Sequence, residues 1–328
     1  MGGKILKTNI DILLKKAIEY RKDLFNDIST TAFRIVNGSA DNLEDITIDY
    51  YDNHILITWY TKQSYKIKNI LVQSLQKILS PSSIYQKKRF GPRGTFIDDN
   101  DDFISGNKPS FPIVVKQDNI KYAVYLDDGA MTGVFLDQRE TRNSLKNLYT
   151  KNKTVLNTFS YTGAFSVASA LGDAKHTTSV DLAKRSLKKT KEQFKVNNIT
   201  DLSNHKIIVQ DVFEYFKYAI KKDLKFDIVI ADPPSFARSK KYSFSVAKDY
   251  KDLLKQIIQI TNKHGLIVAS TNYSKISIKN FKGFVNQAFS ELKLTYKIQK
   301  SFSLPKDFKI DPKNPQSNYL KVLFIEKL

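Results

Sequence analysis

The chain has 328 residues, 41% hydrophobic and 12% aromatic, enough for about two packed domains and too apolar for wholesale disorder. Lysine and arginine number 53 against 33 acids, a formal net charge of +20 that favours polyanions such as a phosphate backbone, although an AT-rich genome also inflates lysine. No apolar run of about 18 residues exists to cross a bilayer, and the first residues lack a signal peptide's apolar segment, so a cytoplasmic protein without membrane contact is expected. The absence of cysteine excludes disulfides, thiolate metal sites and a cysteine nucleophile. Histidines at 54, 176, 205 and 264 have no ligand spacing, so no metal site is expected.

From the start, Ile10, Leu13, Leu14, Ala17, Ile18, Leu24 and Phe25 give helical spacing over residues 10–28. Strands are expected at 31–37, 45–51 and 54–60, the last two turning at Asp52-Asn53. An amphipathic helix follows over 67–79, then a strand over 83–90. Glycine, proline and acids cluster from 91 to 112, which marks a domain boundary or an exposed loop. A hairpin over 113–117 and 120–126 leads to a helix over 137–149. Beyond it, strands at 154–159, 177–180, 207–209, 226–231 and 266–270 alternate with helices at 164–171, 183–196, 212–221 and 246–262. The helix over 183–196 is expected to bury Ala183, Leu187, Thr190 and Phe194. A helix near 278–289 and strands near 293–300 and 319–326 close the chain. Alternation of this kind predicts an α/β parallel sheet with helices on both faces, preceded by a smaller α+β part.

Ligands of such sheets bind beyond the carboxyl ends of the strands. After the first strand stands Asn157-Thr158-Phe159-Ser160-Tyr161-Thr162-Gly163. A glycine fingerprint for pyrophosphate is missing, since only Gly163 is present, and a cofactor without phosphate fits better. The second strand ends in Asp181, which can accept two ribose hydroxyls or cap the next helix. Asp211 offers the same choice beside an adenine edge. The fourth strand runs into Asp232-Pro233-Pro234-Ser235-Phe236, a stiff turn that holds carbonyl and carboxylate toward a target atom. Four correctly ordered strand ends carry more weight than any one of them.

The stretches GVFLDQRETR (133–142), VLNTFSYTGAFSVASALG (155–172), SVDLAKRSL (179–187) and DPPSFARSKK (232–241) resemble the large-subunit ribosomal RNA methyltransferase family. Its members make 5-methylcytosine or 7-methylguanine in 23S rRNA. TAFRIVNGSADNLEDITIDYYDNHILI, upstream, is similar to that family's central α+β domain. The resemblance implies a class I, Rossmann-like, seven-stranded catalytic sheet that uses S-adenosyl-L-methionine (SAM). It implies an N-terminal helix over 1–30, an α+β RNA-substrate domain over 31–112 and a methyltransferase domain over 113–328. Many relatives begin with a small RNA-binding PUA domain, for which this chain has no room. By the same resemblance, Asn157, Phe159, Ser160 and Gly163 line the methionine side of SAM, Asp181 takes the ribose and Asp211 the adenine edge. Phe135, Asp137, Gln138 and Arg139 match the loop that covers the cofactor. Arg139 can pair with the SAM carboxylate or lie solvated on a helix surface. The partner implied is 23S rRNA or a large-subunit precursor, and a homodimer is compatible with it.

Cytosine carbon 5 needs a cysteine thiolate at carbon 6 to become nucleophilic, and the cytosine-methylating relatives carry Ser-Cys after the fifth strand. This chain has Ser270-Thr271-Asn272-Tyr273 there, which resembles the Ser-Asn-Asn of the guanine-N7 branch. Guanine N7 already has an in-plane lone pair and needs alignment rather than a base. Asp232, Pro233, Phe236 and Asn272 are therefore the expected base-positioning set, with Phe236 stacking on a flipped base. Methylation of an exocyclic amine is the nearer rival, disfavoured because Ser235 precedes the aromatic. Arg238, Lys240 and Lys241, beside this turn, are the expected phosphate contacts. The Lys184–Lys195 helix and Lys87-Lys88-Arg89 are further basic clusters, either RNA-facing or simply solvated. A nicotinamide oxidoreductase, distinguished by NAD(H) binding, and a non-catalytic ribosome-assembly factor, distinguished by rRNA binding without methyl transfer, are the rivals from other classes.

Overall fold

A computed structural model describes residues 2–238 and 242–328, with side chains from Asn9 onward, so Lys240 and Lys241 lie outside the described residues. Two compact units emerge: Met1–Asp137 with Pro305–Pro315, and Gln138–Leu304 with Gln316–Leu328.

In the first unit, helices α1 (Gly2–Tyr20) and α2 (Lys22–Phe25) precede strands β1 (Ala32–Asn37), β2 (Ile46–Tyr51) and β3 (His54–Trp59). Short α3 (Lys62–Tyr65) and α4 (Lys68–Leu79) then cross over to β4 (Ser83–Lys88), and β5 (Phe103–Gly106) completes a sheet in chain order. Ile10, Leu14 and Ala17 repeat at helical spacing and are buried with Leu71 and Leu75 of α4 against Phe33, Ile48 and Ile57. Each such buried leucine, isoleucine or phenylalanine contributes about 1.5–3 kcal/mol of apolar burial. The single helix expected over 10–28 breaks at Arg21, whose guanidinium turns inward. It pairs with Asp41 (2.9 and 2.8 Å) and donates to the Asp307 carbonyl (3.0 and 2.8 Å).

The boundary falls at 137 rather than 112 because the hairpin β6 (Ile113–Gln117) and β7 (Ile120–Val124) is bonded into this unit. Thr31 N donates to Lys116 O (2.9 Å), and Gln117 Nε2 to Ala32 O (3.1 Å). The returning segment is held likewise: Arg34 N donates to Asp307 Oδ2 (3.0 Å) and Ser39 Oγ to Asp311 Oδ2 (2.7 Å).

Lys87-Lys88-Arg89 does not form an RNA-facing cluster. Lys87 is 1% exposed and paired with Asp102, and Lys88 is paired with Asp99 (2.6 Å) and Asp101 (2.9 Å). Arg89 donates to Ala130 O. The acids of the 91–112 stretch fold back and neutralise the two lysines.

In the second unit, α5 (Arg139–Leu148) leads into β8 (Thr154–Thr158), α6 (Ala164–Leu171), β9 (His176–Asp181), α7 (Lys184–Val196), β10 (His205–Val209), α8 (Val212–Lys221) and β11 (Phe226–Ala231). A small hairpin, β12 (Phe236–Arg238) with β13 (Ser243–Ser245), precedes α9 (Val246–Ile260), β14 (Thr261–Thr271), α10 (Ile278–Glu291), β15 (Tyr296–Phe302) and β16 (Lys321–Lys327). The sheet order is β10-β9-β8-β11-β14-β16-β15, with β16 inserted antiparallel between β14 and β15. This is the expected α/β sheet of seven strands. Its core joins Val229 and Ile267 of the sheet to Phe216, Leu254, Ile258 and Phe281 of the helices.

The buried face of α7 is Ser186, Thr190, Gln193 and Phe194, while Leu187 is 38% exposed. An apolar pattern misreads it because the buried stripe is small and polar.

Candidate active site at the strand ends

Register places the informative residues on one edge. Val209 pairs with Asp181, Thr158 with both Val180 and Ala231, and Ala231 with Ala269, so the loops that follow leave from one level. The chain runs outward from β8 through β9 to β10 and then returns to β11, putting the topological switch between β8 and β11.

The loop after β8 is wound tightly. Phe159, Tyr161 and Gly163 have φ of 53°, 51° and 77°. Left-handed backbone at two non-glycine residues is costly and is commonly kept at functional loops. Phe159 packs toward Phe213 and Phe244, with centroids 6.1 and 6.3 Å apart. Ser160 is buried, its N–H donating to Val180 O (3.1 Å) and its carbonyl accepting from Gly163 N (2.7 Å). A Cβ on Gly163 would lie 2.5 Å from Thr190 Cγ2, so close helix packing alone requires glycine there. Asn157 is 1% exposed, and its amide donates to Ser166 Oγ (3.0 Å), itself bonded to Ser179 (2.7 Å). It joins sheet to helix inside the layer.

The two acids separate. Asp211 caps α8, Oδ1 accepting from Phe213 N (2.9 Å) and Glu214 N (3.4 Å). Asp181 caps nothing: α7 starts after Ala183. Its two oxygens instead accept from Tyr161 N and Ala183 N, each at 2.8 Å. Burial pushes the Asp181 carboxyl above its ordinary value, outweighing these two backbone donors. Leu182, next to it, is 52% exposed.

At the switch, Gln138 is 2% exposed, and its Nε2 donates to Asp232 Oδ2 (3.2 Å) and Ser270 Oγ (2.8 Å). Tyr250 hydroxyl, wholly buried and held well above its usual pKa by that burial, donates to Ser270 O (2.7 Å). Ser235 Oγ donates to Asn272 Oδ1 (2.9 Å), linking the Asp-Pro-Pro turn to the end of β14. Pro233 is buried, Phe236 is 62% exposed and Arg238 is exposed on the same short strand. The structure thus brings together Gln138, Asp232, Phe236 and Asn272, and separately Ser160, Gly163 and Asp181. Arg139 opens α5 and is 7% exposed, so it is not solvated on a helix surface. Phe135 and Asp137 close the first unit, Phe135 at 37% exposure. Sequence reading missed Leu182, whose place after a strand-end acid was the available signal. It also missed Tyr250, which gives no signal of its own, and gave Ser270 only as the first residue of the Ser-Thr-Asn run.

The sequence matches, over residues 33–313, the family described as S-adenosylmethionine-dependent methyltransferase. The chain belongs to this S-adenosylmethionine-dependent methyltransferase family. The methyltransferase is 54% identical over 315 residues to "Putative ribosomal RNA large subunit methyltransferase YwbD" of Bacillus subtilis (strain 168), covering 96% of this chain and 79% of the relative. It is 30% identical to ribosomal RNA large subunit methyltransferase I of Pseudoalteromonas translucida (strain TAC 125), over 94% of this chain and 78% of the relative. Among solved structures it resembles SMU.776 complexed with SAH, with TM-score 0.91 and 40% identity over 98% of this chain and 81% of that one.

The methyltransferase's edge suits such a donor. A desolvated Asp181 carboxylate, held by two backbone N–H groups with the Arg185 charge nearby, has lone pairs left for a diol, and the exposed Leu182 offers an apolar surface for a base. The helix entry after β8 has a single glycine, which suits a nucleoside without phosphate. No described helix of the methyltransferase is long and apolar enough to cross a membrane.

Proposed function

We propose that this methyltransferase modifies a base of 23S ribosomal RNA, at guanine N7 and without a covalent enzyme intermediate. The observation that carries the choice of atom is the junction of the Asp-Pro-Pro turn with Ser270-Thr271-Asn272, where Asn272 and Ser235 are hydrogen-bonded and no thiol stands to attack a pyrimidine. The names of the relatives and the +20 charge support rRNA as the substrate.

In this reading SAM supplies an electrophilic methyl on sulfur. Asp181 accepts from the ribose hydroxyls, Leu182 lies against the adenine and Asp211 uses its remaining oxygen toward the amino group. Phe159, Ser160 and Gly163 shape the methionyl side, and Arg139 pairs with the carboxylate. Phe236, already exposed, stacks on the flipped base, while Asp232, Pro233 and Asn272 align its edge. N7 loses no proton, so alignment is the main service these residues render. Arg238, with Lys240 and Lys241, contacts backbone phosphate near the turn.

The test is to map 23S rRNA with and without the gene, using borohydride and aniline to cleave at 7-methylguanine, and to restore the mark with purified protein and SAM. Loss and restoration of one such cleavage is expected. A lost 5-methylcytosine, or a lost exocyclic N-methyl mark, would overturn the assignment of the atom. No lost mark would overturn rRNA.

A further inference from the structure

We propose that Gln138 is a positioning residue for methyl transfer: its amide ties the Asp232 carboxylate to the end of β14 and fixes the edge that the Asp-Pro-Pro turn presents to the base. This rests on the reading of Asp232 as a base-aligning group. The motif gave Gln138 to the cofactor, but its bonds run elsewhere. One amide nitrogen serves two oxygens, Asp232 Oδ2 at 3.2 Å and Ser270 Oγ at 2.8 Å. Asp232 follows β11 and Ser270 lies near the end of β14, so the amide spans two adjacent parallel strands.

The tie is held at both ends. Gln138 directly precedes α5, which fixes its backbone, and Tyr250 anchors the Ser270 carbonyl at 2.7 Å. Gln138 and Ser270 are 2% and 1% exposed, so water does not readily substitute for the amide. The polarity of the amide is set by its neighbour. Turned over, Oε1 would face another acceptor oxygen on Asp232, whereas the N–H groups donate to it. As it stands, Oε1 is buried without a hydrogen-bond partner among the described residues, an arrangement that would be poor if simple adhesion between strands were the purpose. Asp232 held by the Gln138 amide keeps its carboxyl group oriented toward the base edge, and loses that orientation when the donor goes.

Two variants test this. Gln138→Met keeps length and burial but donates nothing; Gln138→Glu replaces the donor with a second carboxyl group. With undermodified 23S rRNA from a strain lacking the gene, kcat of Gln138→Met should fall about tenfold to a hundredfold at little-changed KM. SAM affinity by calorimetry should stay within about threefold. In Gln138→Glu, activity should be low at neutral pH and recover as pH falls, because one proton shared between the two carboxyls restores a donor to Asp232. Carboxyl 13C NMR, with Asp232 assigned through Asp232→Asn, should show its titration midpoint moving upward in Gln138→Met. An unmoved midpoint, a loss in Gln138→Glu that is flat with pH, or a defect carried wholly by SAM affinity would overturn the proposal. Should wild-type protein transfer no methyl to this rRNA, the rRNA reading falls, and the NMR titration still decides the tie.

Discussion

Gly163→Ala separates two reasons for a glycine in the turn after β8: approach of the cofactor, and packing of α6 on α7. The residue sits at φ 77°, where an L side chain costs about 1–2 kcal/mol. Its new Cβ would meet Thr190 Cγ2 at 2.5 Å, where carbon contacts ordinarily settle at about 3.5–4.0 Å. Thr190 is fully buried, so relief requires a shift of about 1 Å in a close-packed interior, typically about 1–3 kcal/mol. The two together predict a loss of about 2–5 kcal/mol. For a unit of this size that lowers the melting temperature by about 5–15 °C, readable by calorimetry without SAM. Thr190→Ala removes Cγ2 and the buried Oγ1, which has no hydrogen-bond partner among the described residues, and leaves Thr190 Cβ at 3.3 Å. In a double-mutant cycle the pair should recover the packing part and retain only the backbone cost of about 1–2 kcal/mol. If packing is the reason, the double variant also binds SAM within about threefold of wild type. A single variant melting within about 2 °C of wild type, or a pair no more stable than the single, would refute the packing argument.

Asp181 gives a pH dependence of stated sign. Burial raises its carboxyl above the unfolded value, so the folded apo protein binds the proton more tightly, and this group favours the fold more as pH falls through that window. SAM affinity should move the opposite way, weakening as acid protonates the carboxylate. The decline should begin above the ordinary carboxylate range and disappear in Asp181→Asn, which binds weakly throughout; a pH-independent calorimetric Kd in wild type would contradict it. Lys184, Lys188, Lys191 and Lys195 lie along one exposed face of α7, none ion-paired among the described residues. Changing all four to glutamine should lower the slope of log K against log salt for rRNA by about 3, with SAM binding retained, and an unchanged slope would make the face merely solvated. Lys87→Met should cost the first unit about 3–5 kcal/mol by stranding Asp102, with no change in that salt slope, the reverse of what an RNA contact would do.

The catalytic sheet was legible because alternation, strand length and helix periodicity all point one way: the helices expected at 164–171 and 212–221 agree with α6 and α8 residue for residue. What misled is instructive. Lys87-Lys88-Arg89 reads as a basic cluster only while the Asp98–Asp102 segment is taken as a separate loop; register between β4 and β5 is a long-range fact that no local pattern contains. The same holds for Arg21, which looks like one more charge on an amphipathic helix. Its inward guanidinium is bonded to Asp41 and to Asp307, 286 residues away. The β12–β13 hairpin escaped notice because its arms are three residues each, too short for a period to register.

Within the site, residue type and place located the edge but did not say which acids remain open to a ligand. Asp181 and Asp211, at carboxyl ends, carry much the same sequence signal, and the donors of these two and of Asp227 separate them. At Asp227, on the amino side of β11, burial pushes the carboxyl up, but hydrogen bonds from Thr154 and Asn262 outweigh it and hold it below its ordinary value. That acid is a clamp. Asp211 has one oxygen engaged in a helix cap. Asp181 has two backbone donors that fail to offset its desolvation, so a ligand's hydroxyls have most to gain there. A strand-end acid becomes a binding group when the protein leaves it under-solvated, and that deficit is set by packing from residues distant in sequence. Asp181→Asn and Asp211→Asn should accordingly differ: the first should weaken SAM by calorimetry far more than the second, whose main effect falls on the stability of α8. Equal losses of SAM affinity would mean that position on the edge, and not the missing solvation, selects the binding acid.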